Sequence, residues 1–518
     1  MKKSGLFFIF FVVIFFLLID ILIIETAYKA VFSYFQNIDQ ASYLQRATDV
    51  LSVILASLVL FTAIIIILER RDPSKTLAWL LVLIFLPIIG FILYLTFGRQ
   101  IRRRRLSSKK IRQNAFIFPL DASYKESLMA ISYMPPSKER LMQLVINNTD
   151  FPITLHNEVQ ILNNGNEIFP SMFEAMENAT KHIYVETFIL REDGTGNKLA
   201  RLLIKKATEG LDVRLLFDGL GSRKLSAGYI QKLLDSGVDA RPFFPVKLPL
   251  MQTTLNYRNH RKILVIDGKI GFLGGVNIGD EYLGLDPKVG PWRDTHLRID
   301  GNAVHYLNQI FLQDWNFVCG IKNYTLPTAD LIHSPGNKLV HITASGPDTQ
   351  WASIMQVYYY AIATAEKSIF LTSPYFIPNE SIQTALKTAA LSGVSVKIIL
   401  PGNPDHKPLL WAAMSYMDDL LDAGVEIYLY RHGFVHSKVL AIDGLISSVG
   451  SANMDQRSFS LNFEANALIF NKEITEKLET DFITDLLESE KIDYEKFKNR
   501  PIYRKIVESV ARILSPLL

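Results

Sequence analysis

Cysteine is almost absent from this chain: Cys319 is the only one in 518 residues. An intramolecular disulfide and any multi-cysteine metal site are excluded, and Cys319 reads as a small buried apolar residue. A strong excess of charge of either sign is lacking too. Lysine and arginine number 55 against 51 acidic residues, a formal net charge of +4. So mild a balance provides no general attraction to nucleic acid, and the distribution of charge matters more. Apolar residues make up 49% of the chain, only slightly more than usual, so any membrane part must be local. The length suffices for two or more domain-sized cores.

Three long apolar runs stand near the amino terminus: Leu6 to Ile24, broken only by Asp20, then Leu51 to Leu68 and Leu77 to Phe97. A helix needs about 20 apolar residues to cross a bilayer, and all three meet or approach that length. The first follows Lys2 and Lys3 like a signal peptide, but it is longer than a signal core and no small-residue cleavage site follows, so it reads as an anchor. The other two are joined by the short turn Glu69 to Lys75, and Pro87 and Gly90 favour a kink in the last run or a re-entrant segment. Beyond it lies the densest basic cluster, Arg99, Arg102 to Arg105, Lys109, Lys110 and Arg112. This cluster leans the following region to the cytoplasmic side, while Arg70, Arg71 and Lys75 pull the opposite way. The expected organisation is a multi-pass membrane segment over 1–112, a linker over 113–150, and a large region beyond.

From about residue 150 short β-branched runs alternate with helical patterns, the signature of α/β units. The region repeats itself. Ala179–Val185 matches Ala365–Leu371, Leu211–Leu216 matches Val394–Ile399, and Leu233–Val238 matches Leu420–Val425. The last match is HRKILVID (His260–Asp267) with HSKVLAID (His436–Asp443), followed by GGVN (Gly274–Asn277) and GSAN (Gly450–Asn453). Four matches in one order define two copies of a unit, 151–325 and 335–490, with an amphipathic tail over 491–518.

In each His-x-Lys-x-x-x-x-Asp motif the middle residues are strand formers, and alternation puts His and Lys on one face. An imidazole can act as nucleophile or as general acid/base near neutral pH. The lysine is a cation suited to a phosphate oxygen. Two facing copies fit a two-step displacement at a phosphodiester: one histidine attacks phosphorus, and the other protonates the departing alkoxide and then activates the incoming hydroxyl. Lys262, Lys438, Asn277 and Asn453 would hold the equatorial oxygens, with no metal or other cofactor required. One His-x-Lys alone is usually surface decoration; two matched copies reverse that expectation. Asp267 and Asp443 complete the motifs as candidate catalytic groups, yet each precedes Gly in an Asp-Gly hairpin signal, which favours a structural role at least as strongly. His156, His182, His305 and His341 lack such context and read as structural.

The paired motifs resemble the phospholipase D superfamily over residues 150 to 490, and within it the chain is similar to bacterial cardiolipin synthases. VETFI (Val185–Ile189), FDGLGS (Phe217–Ser222), WRDTH (Trp292–His296), SPYFIP (Ser373–Pro378) and GSANMDQRS (Gly450–Ser458) carry the likeness, with DPSKTLAW (Asp72–Trp79) and ARILSPLL (Ala511–Leu518) at the two ends. The resemblance implies an α/β fold of two tandem pseudo-symmetric units, each a mixed sheet flanked by helices, behind an α-helical membrane segment in a bacterial cell membrane. It implies a phosphohistidine, with His260 the nucleophile and His436 the acid/base. It also implies carboxylates that orient the imidazoles: Glu464, in NFEA, and Asp294, from aligning EANAL (Glu464–Leu468) with DTHLR (Asp294–Arg298). Ser451 joins the expected phosphate-binding group, and Gly275 at its place in the first copy makes the half-sites unequal. The implied reaction moves a phosphatidyl group from one phosphatidylglycerol to another, giving cardiolipin and glycerol without nucleotide or nucleic acid. A homo-oligomer is compatible with the sequence. Hydrolysis of the same intermediate is the nearest alternative, followed by a nuclease and a non-catalytic scaffold.

Overall fold

The computed structural model describes residues 43–69, 73–94, 98, 135–149, 151–245, 256–285, 290–321 and 336–514. It divides into two units, 1–100 and 101–518, described separately. The run Leu6 to Ile24 and the basic cluster of 99–112 lie outside the described residues.

In the amino-terminal unit the helix Tyr43–Leu68 contains one stretch long and apolar enough to cross a membrane, Asp49–Leu68. Thr62 is tolerated in it because its hydroxyl donates to the Leu58 carbonyl, 2.7 Å away. The next apolar run divides into Pro73–Phe85 and Pro87–Leu93. Pro87 has no amide hydrogen to continue a helix, and Leu86 sits between the pieces at φ −134°, ψ 69°. Each piece is too short to cross alone. The described residues thus contain one candidate crossing helix of the multi-pass segment expected.

The second unit is built on a mixed sheet. Its first half comprises β1 (Thr154–Asn163), β2 (His182–Thr187), β3 (Asp212–Asp218), β4 (Asp239–Phe243), β5 (Ile263–Ile266), β6 (Ile270–Gly274) and β8 (Thr295–Gly301), with the two-residue β7 (Trp292–Arg293) set apart. The second half comprises β9 (Lys338–Ser345), β10 (Ser368–Thr372), β12 (Ser395–Pro401), β13 (Glu426–Tyr430), β15 (Val439–Ile442), β16 (Ile446–Gly450), β18 (Glu464–Phe470) and β19 (Ser489–Lys491). Short β11 (Phe376–Ile377), β14 (Phe434–Val435) and β17 (Met454–Asp455) lie outside the main sheet. The 15-stranded order is β19-β13-β12-β10-β15-β16-β18-β9-β1-β8-β6-β5-β2-β3-β4. Read outward from the central β9–β1 pair, the halves match strand for strand, and β19 is an extra edge. The duplicated sequence has folded as a duplicated structure.

Parallel pairs β2–β3–β4 and β10–β12–β13 alternate with helices, as their continuous apolar runs require. The motif strands β5 and β15 each turn back into an antiparallel neighbour through a three-residue loop, 267–269 and 443–445. Asp267 and Gly268 stand at φ 54° and 68°, Asp443 and Gly444 at 58° and 67°, the left-handed pair of a type I′ turn. At the seam Ile263, Leu297, Val340, Val449 and Ala465, with the helix Ala303–Cys319, form a core drawn from both halves. The helix Pro136–Asn148, expected within a linker, instead buries Leu141, Met142 and Val145 in the second half's core.

Candidate active site

The chain ahead of each motif is seated on the other half. Asn259 bridges to Phe463, and the His260 amide donates to the Phe463 carbonyl at 2.9 Å. In the mirror arrangement β14 pairs with β7, and the His436 amide donates to the Arg293 carbonyl at 2.7 Å. The regular strands begin only after the lysines, at Ile263 and Val439. Phe463 and Arg293 each directly precede an acid, so this pairing carries every histidine to the carboxylate of the opposite half.

Nδ1 of His260 lies 3.0 Å from both oxygens of Glu464, and Nδ1 of His436 lies 2.7 Å from Oδ2 of Asp294. Both carboxylates are fully buried. A proton held on Nδ1 by a carboxylate leaves the Nε2 lone pair for chemistry. The resemblance named the two acids without saying which histidine each serves; the fold gives each to the histidine of the opposite copy. The small-residue turns then explain themselves. The Ser451 hydroxyl donates to Glu464 and accepts from the Ala465 amide at 3.0 Å. At Gly275 a Cβ would occupy the space of the Asp294 carboxylate. Ser451 thus supports Glu464, with its hydroxyl turned away from the phosphate role expected of it.

Lys262 donates to the His260 carbonyl at 2.6 Å, and Lys438 donates to the His436 carbonyl and lies 3.0 Å from His436 Nδ1. Burial pushes Lys262 down to about 7, opposed by Glu464 and reinforced by Lys438. Burial likewise pushes Lys438 down to about 8, against the pull of Asp294 and Glu464. His260 is lowered by burial, which outweighs Glu464. His436 is pushed down to about 3 by burial and then by Lys438, despite Asp294. Both imidazoles are therefore neutral at neutral pH. Each histidine also feels the other half's lysine, which puts the two motifs in one electrostatic site.

The two motif aspartates are elsewhere employed. Asp267 accepts from the amides of Thr180, Lys181 and His182 at 2.7–3.0 Å. Asp443 accepts from those of Glu366, Lys367 and Ser368 and pairs with the buried Lys138 at 2.7 Å. Their carboxylates tie the hairpins to the starts of β2 and β10, correcting the catalytic role expected. The two asparagines differ. Asn277 accepts from the Ile189 amide at 3.1 Å and donates to the Tyr282 hydroxyl at 2.6 Å, so its amide is engaged structurally. The Asn453 side-chain oxygen is buried with no hydrogen-bond partner among the described residues.

Sequence reasoning did not find the aromatic wall. Phe188 stands edge-on to His260 at 5.1 Å, and Trp292 lies 5.2 Å from the His436 ring, with Phe434 and Tyr282 behind it. Nor did it find the buried layer that sets the motif backbone. Asp218 accepts from the Asn259 amide at 3.0 Å, Glu186 accepts from the Asn259 side chain, and Arg261 pairs with Asp314. Glu186, Phe188, Asp218 and Trp292 all lie in segments quoted for the family likeness, which was the available signal.

A pair of half-sites that each complete the other is the organisation of phospholipase D-like phosphatidyltransferases, and this chain is one. The family model described as "Cardiolipin synthase, PLD-like domain" matches residues 172–315 and 358–486, and one described as "Phospholipase_D-nuclease N-terminal" matches 57–99. A cardiolipin synthase from Geobacillus sp. (strain WCH70) is 48% identical over 90% of this chain and 94% of its own. One from Geobacillus thermodenitrificans (strain NG80-2) is 46% identical over 91% and 95%. The phosphatidylserine synthase of Haemophilus influenzae Rd KW20, 16% identical with a TM-score of 0.56 over 73% of this chain and 98% of that one, shares the fold. The chain belongs to the bacterial cardiolipin synthase family of the phospholipase D superfamily.

Proposed function

We propose that the chain transfers a phosphatidyl group from one phosphatidylglycerol to a hydroxyl of another, releasing glycerol and forming cardiolipin through a phosphohistidine. The observation behind this is the reciprocal clamp: two neutral imidazoles, each with Nδ1 on the opposite half's buried carboxylate, beside two buried lysines. Nε2 of His260 attacks phosphorus, and the bond from phosphorus to the glycerol oxygen breaks. The arriving phosphodiester anion raises the proton affinity of His436, which enters the step protonated and gives its proton to the glycerol oxygen. Neutral His436 then takes the proton of a second phosphatidylglycerol hydroxyl. That oxygen attacks phosphorus, and the phosphorus–nitrogen bond breaks. Lys262, Lys438 and Asn453 face the non-bridging oxygens as charge gathers on them.

One phosphodiester replaces another, so no nucleotide is consumed. The acceptor decides the outcome, since water in place of the lipid hydroxyl would release phosphatidic acid. The family's membrane setting favours lipid, and the basic stretch 99–112 would hold the site on the cytoplasmic side and attract anionic headgroups. Head-labelled and acyl-labelled phosphatidylglycerol given to the purified chain should yield free glycerol and cardiolipin in equal amounts. Phosphatidic acid as the main product would overturn this reading. So would cardiolipin made by His260→Ala or His436→Ala in cells lacking other synthases.

A further inference from the structure

The last helix, Ile502–Leu514, carries its amphipathic character the wrong way round for packing on a protein core. Its buried positions are Glu508 and Ala511. Glu508 accepts from the Arg500 guanidinium at 2.9 Å, and the same guanidinium binds Asp418 at 2.7 and 2.8 Å. Arg512 lies over the Tyr416 ring, 4.5 Å from its centre. The helix is thus fastened to the second half by its polar side. On the opposite side Ile502, Ile506, Val510 and Ile513 form a stripe at spacings of four, four and three, exposed by 72, 57, 50 and 77%. Tyr503 and Val507 widen it.

Charge says what such a stripe meets. The helix has three cations, Arg504, Lys505 and Arg512, and its single carboxylate is turned inward on Arg500. The exposed side chains of the helix are the apolar stripe, Ser509 and the cations Arg504 and Arg512, with no carboxylate among them, which complements an anionic headgroup layer over acyl chains. Thirteen residues make a rod about 20 Å long, too short to cross a bilayer but suited to lie in its surface. The chain also carries the crossing-length helix Asp49–Leu68, so a bilayer is the apolar surface held within reach.

We propose that the carboxy-terminal helix docks the catalytic region on anionic lipid, its isoleucine–valine stripe inserted at the acyl boundary and its Glu508 side gripping the protein. The helix packs against Lys407–Met414. The inference is independent of which acceptor the phosphohistidine meets, and its test uses no turnover.

The full chain carrying Cys319→Ser is placed in nanodiscs, with a nitroxide on Ile506→Cys, on Val510→Cys or, as a control, on Lys472→Cys. In discs containing phosphatidylglycerol the ratio of oxygen to nickel-chelate collisions should be several-fold higher at 506 and 510 than at 472. It should fall in pure phosphatidylcholine. Adding Val510→Asp, with the circular dichroism unchanged, should return the ratio at 506 to that at 472. Equal ratios at all three sites in anionic discs would overturn the proposal. Dipolar broadening between labels at 506 would also overturn it, by showing a second copy on the stripe.

Discussion

Glu464 holds the imidazole of His260, a residue 204 positions earlier, with both carboxylate oxygens 3.0 Å from Nδ1. Asp294 does the same for His436 across 142 positions in the opposite direction. Neither half can present an oriented histidine by itself. The active unit is therefore the closed pair.

Glu464→Gln keeps the shape and removes the charge that fixes the His260 tautomer. It should lower kcat by about 10²- to 10⁴-fold with little change in KM. Because it acts through His260, the double variant Glu464→Gln/His260→Ala should be no slower than His260→Ala alone. Independent, multiplying losses in that cycle would place Glu464 in some other role.

Gly275 has no room for a side chain because Asp294 fills the space. Gly275→Ala should push the carboxylate off His436 and reproduce the kcat loss of Asp294→Asn. Ser451→Gly, which removes one of several Glu464 contacts, should cost less. Steady-state kinetics of the three variants side by side decide it; a harmless Gly275→Ala would refute the packing argument.

The pair Lys138–Asp443 is 1% and 4% exposed, so removing one partner leaves the other's buried charge with backbone groups alone to offset it. Lys138→Met should lower unfolding stability by about 3–5 kcal/mol. Asp443→Asn should likewise weaken the fold while preserving kcat at temperatures where the protein remains folded. A large kcat loss in a protein of unchanged melting temperature would restore a catalytic role to Asp443.

His296 and His341 are buried and pushed down to about 4, chiefly by burial. In the unfolded chain each takes a proton near its ordinary value, about 6.5. Their contribution to stability is therefore complete above that value and is lost as pH falls from it towards about 4. By pH 5 each should have cost about 2 kcal/mol. Chemical denaturation at pH 7 and pH 5 should show the decline, and His341→Gln should reduce it by about 2 kcal/mol. An identical decline in that variant would assign the acid sensitivity to other groups.

Much of the architecture was legible along the chain. Matched strand, helix and turn signals announced a duplicated α/β unit, because burial on both faces of a parallel sheet writes itself as local apolar runs. Asp-Gly marked both hairpins for an equally local reason: few residues other than glycine, asparagine and aspartate accept left-handed backbone. Lys138 was not legible, since nothing near it reveals that its ammonium would be buried against Asp443, 305 positions away.

Linear sequence thus settled the repeat, the two histidines and the chemistry open to them, since each motif is short and its strand pattern is local. Tertiary structure decided which acid serves which histidine, why Gly275 differs from Ser451, and that the motif aspartates bind backbone. Those relations depend on strands and loops that meet only when the two halves close on each other. Burial then lowered the proton affinity of both imidazoles and both lysines, a property no residue carries until water has been removed from around it.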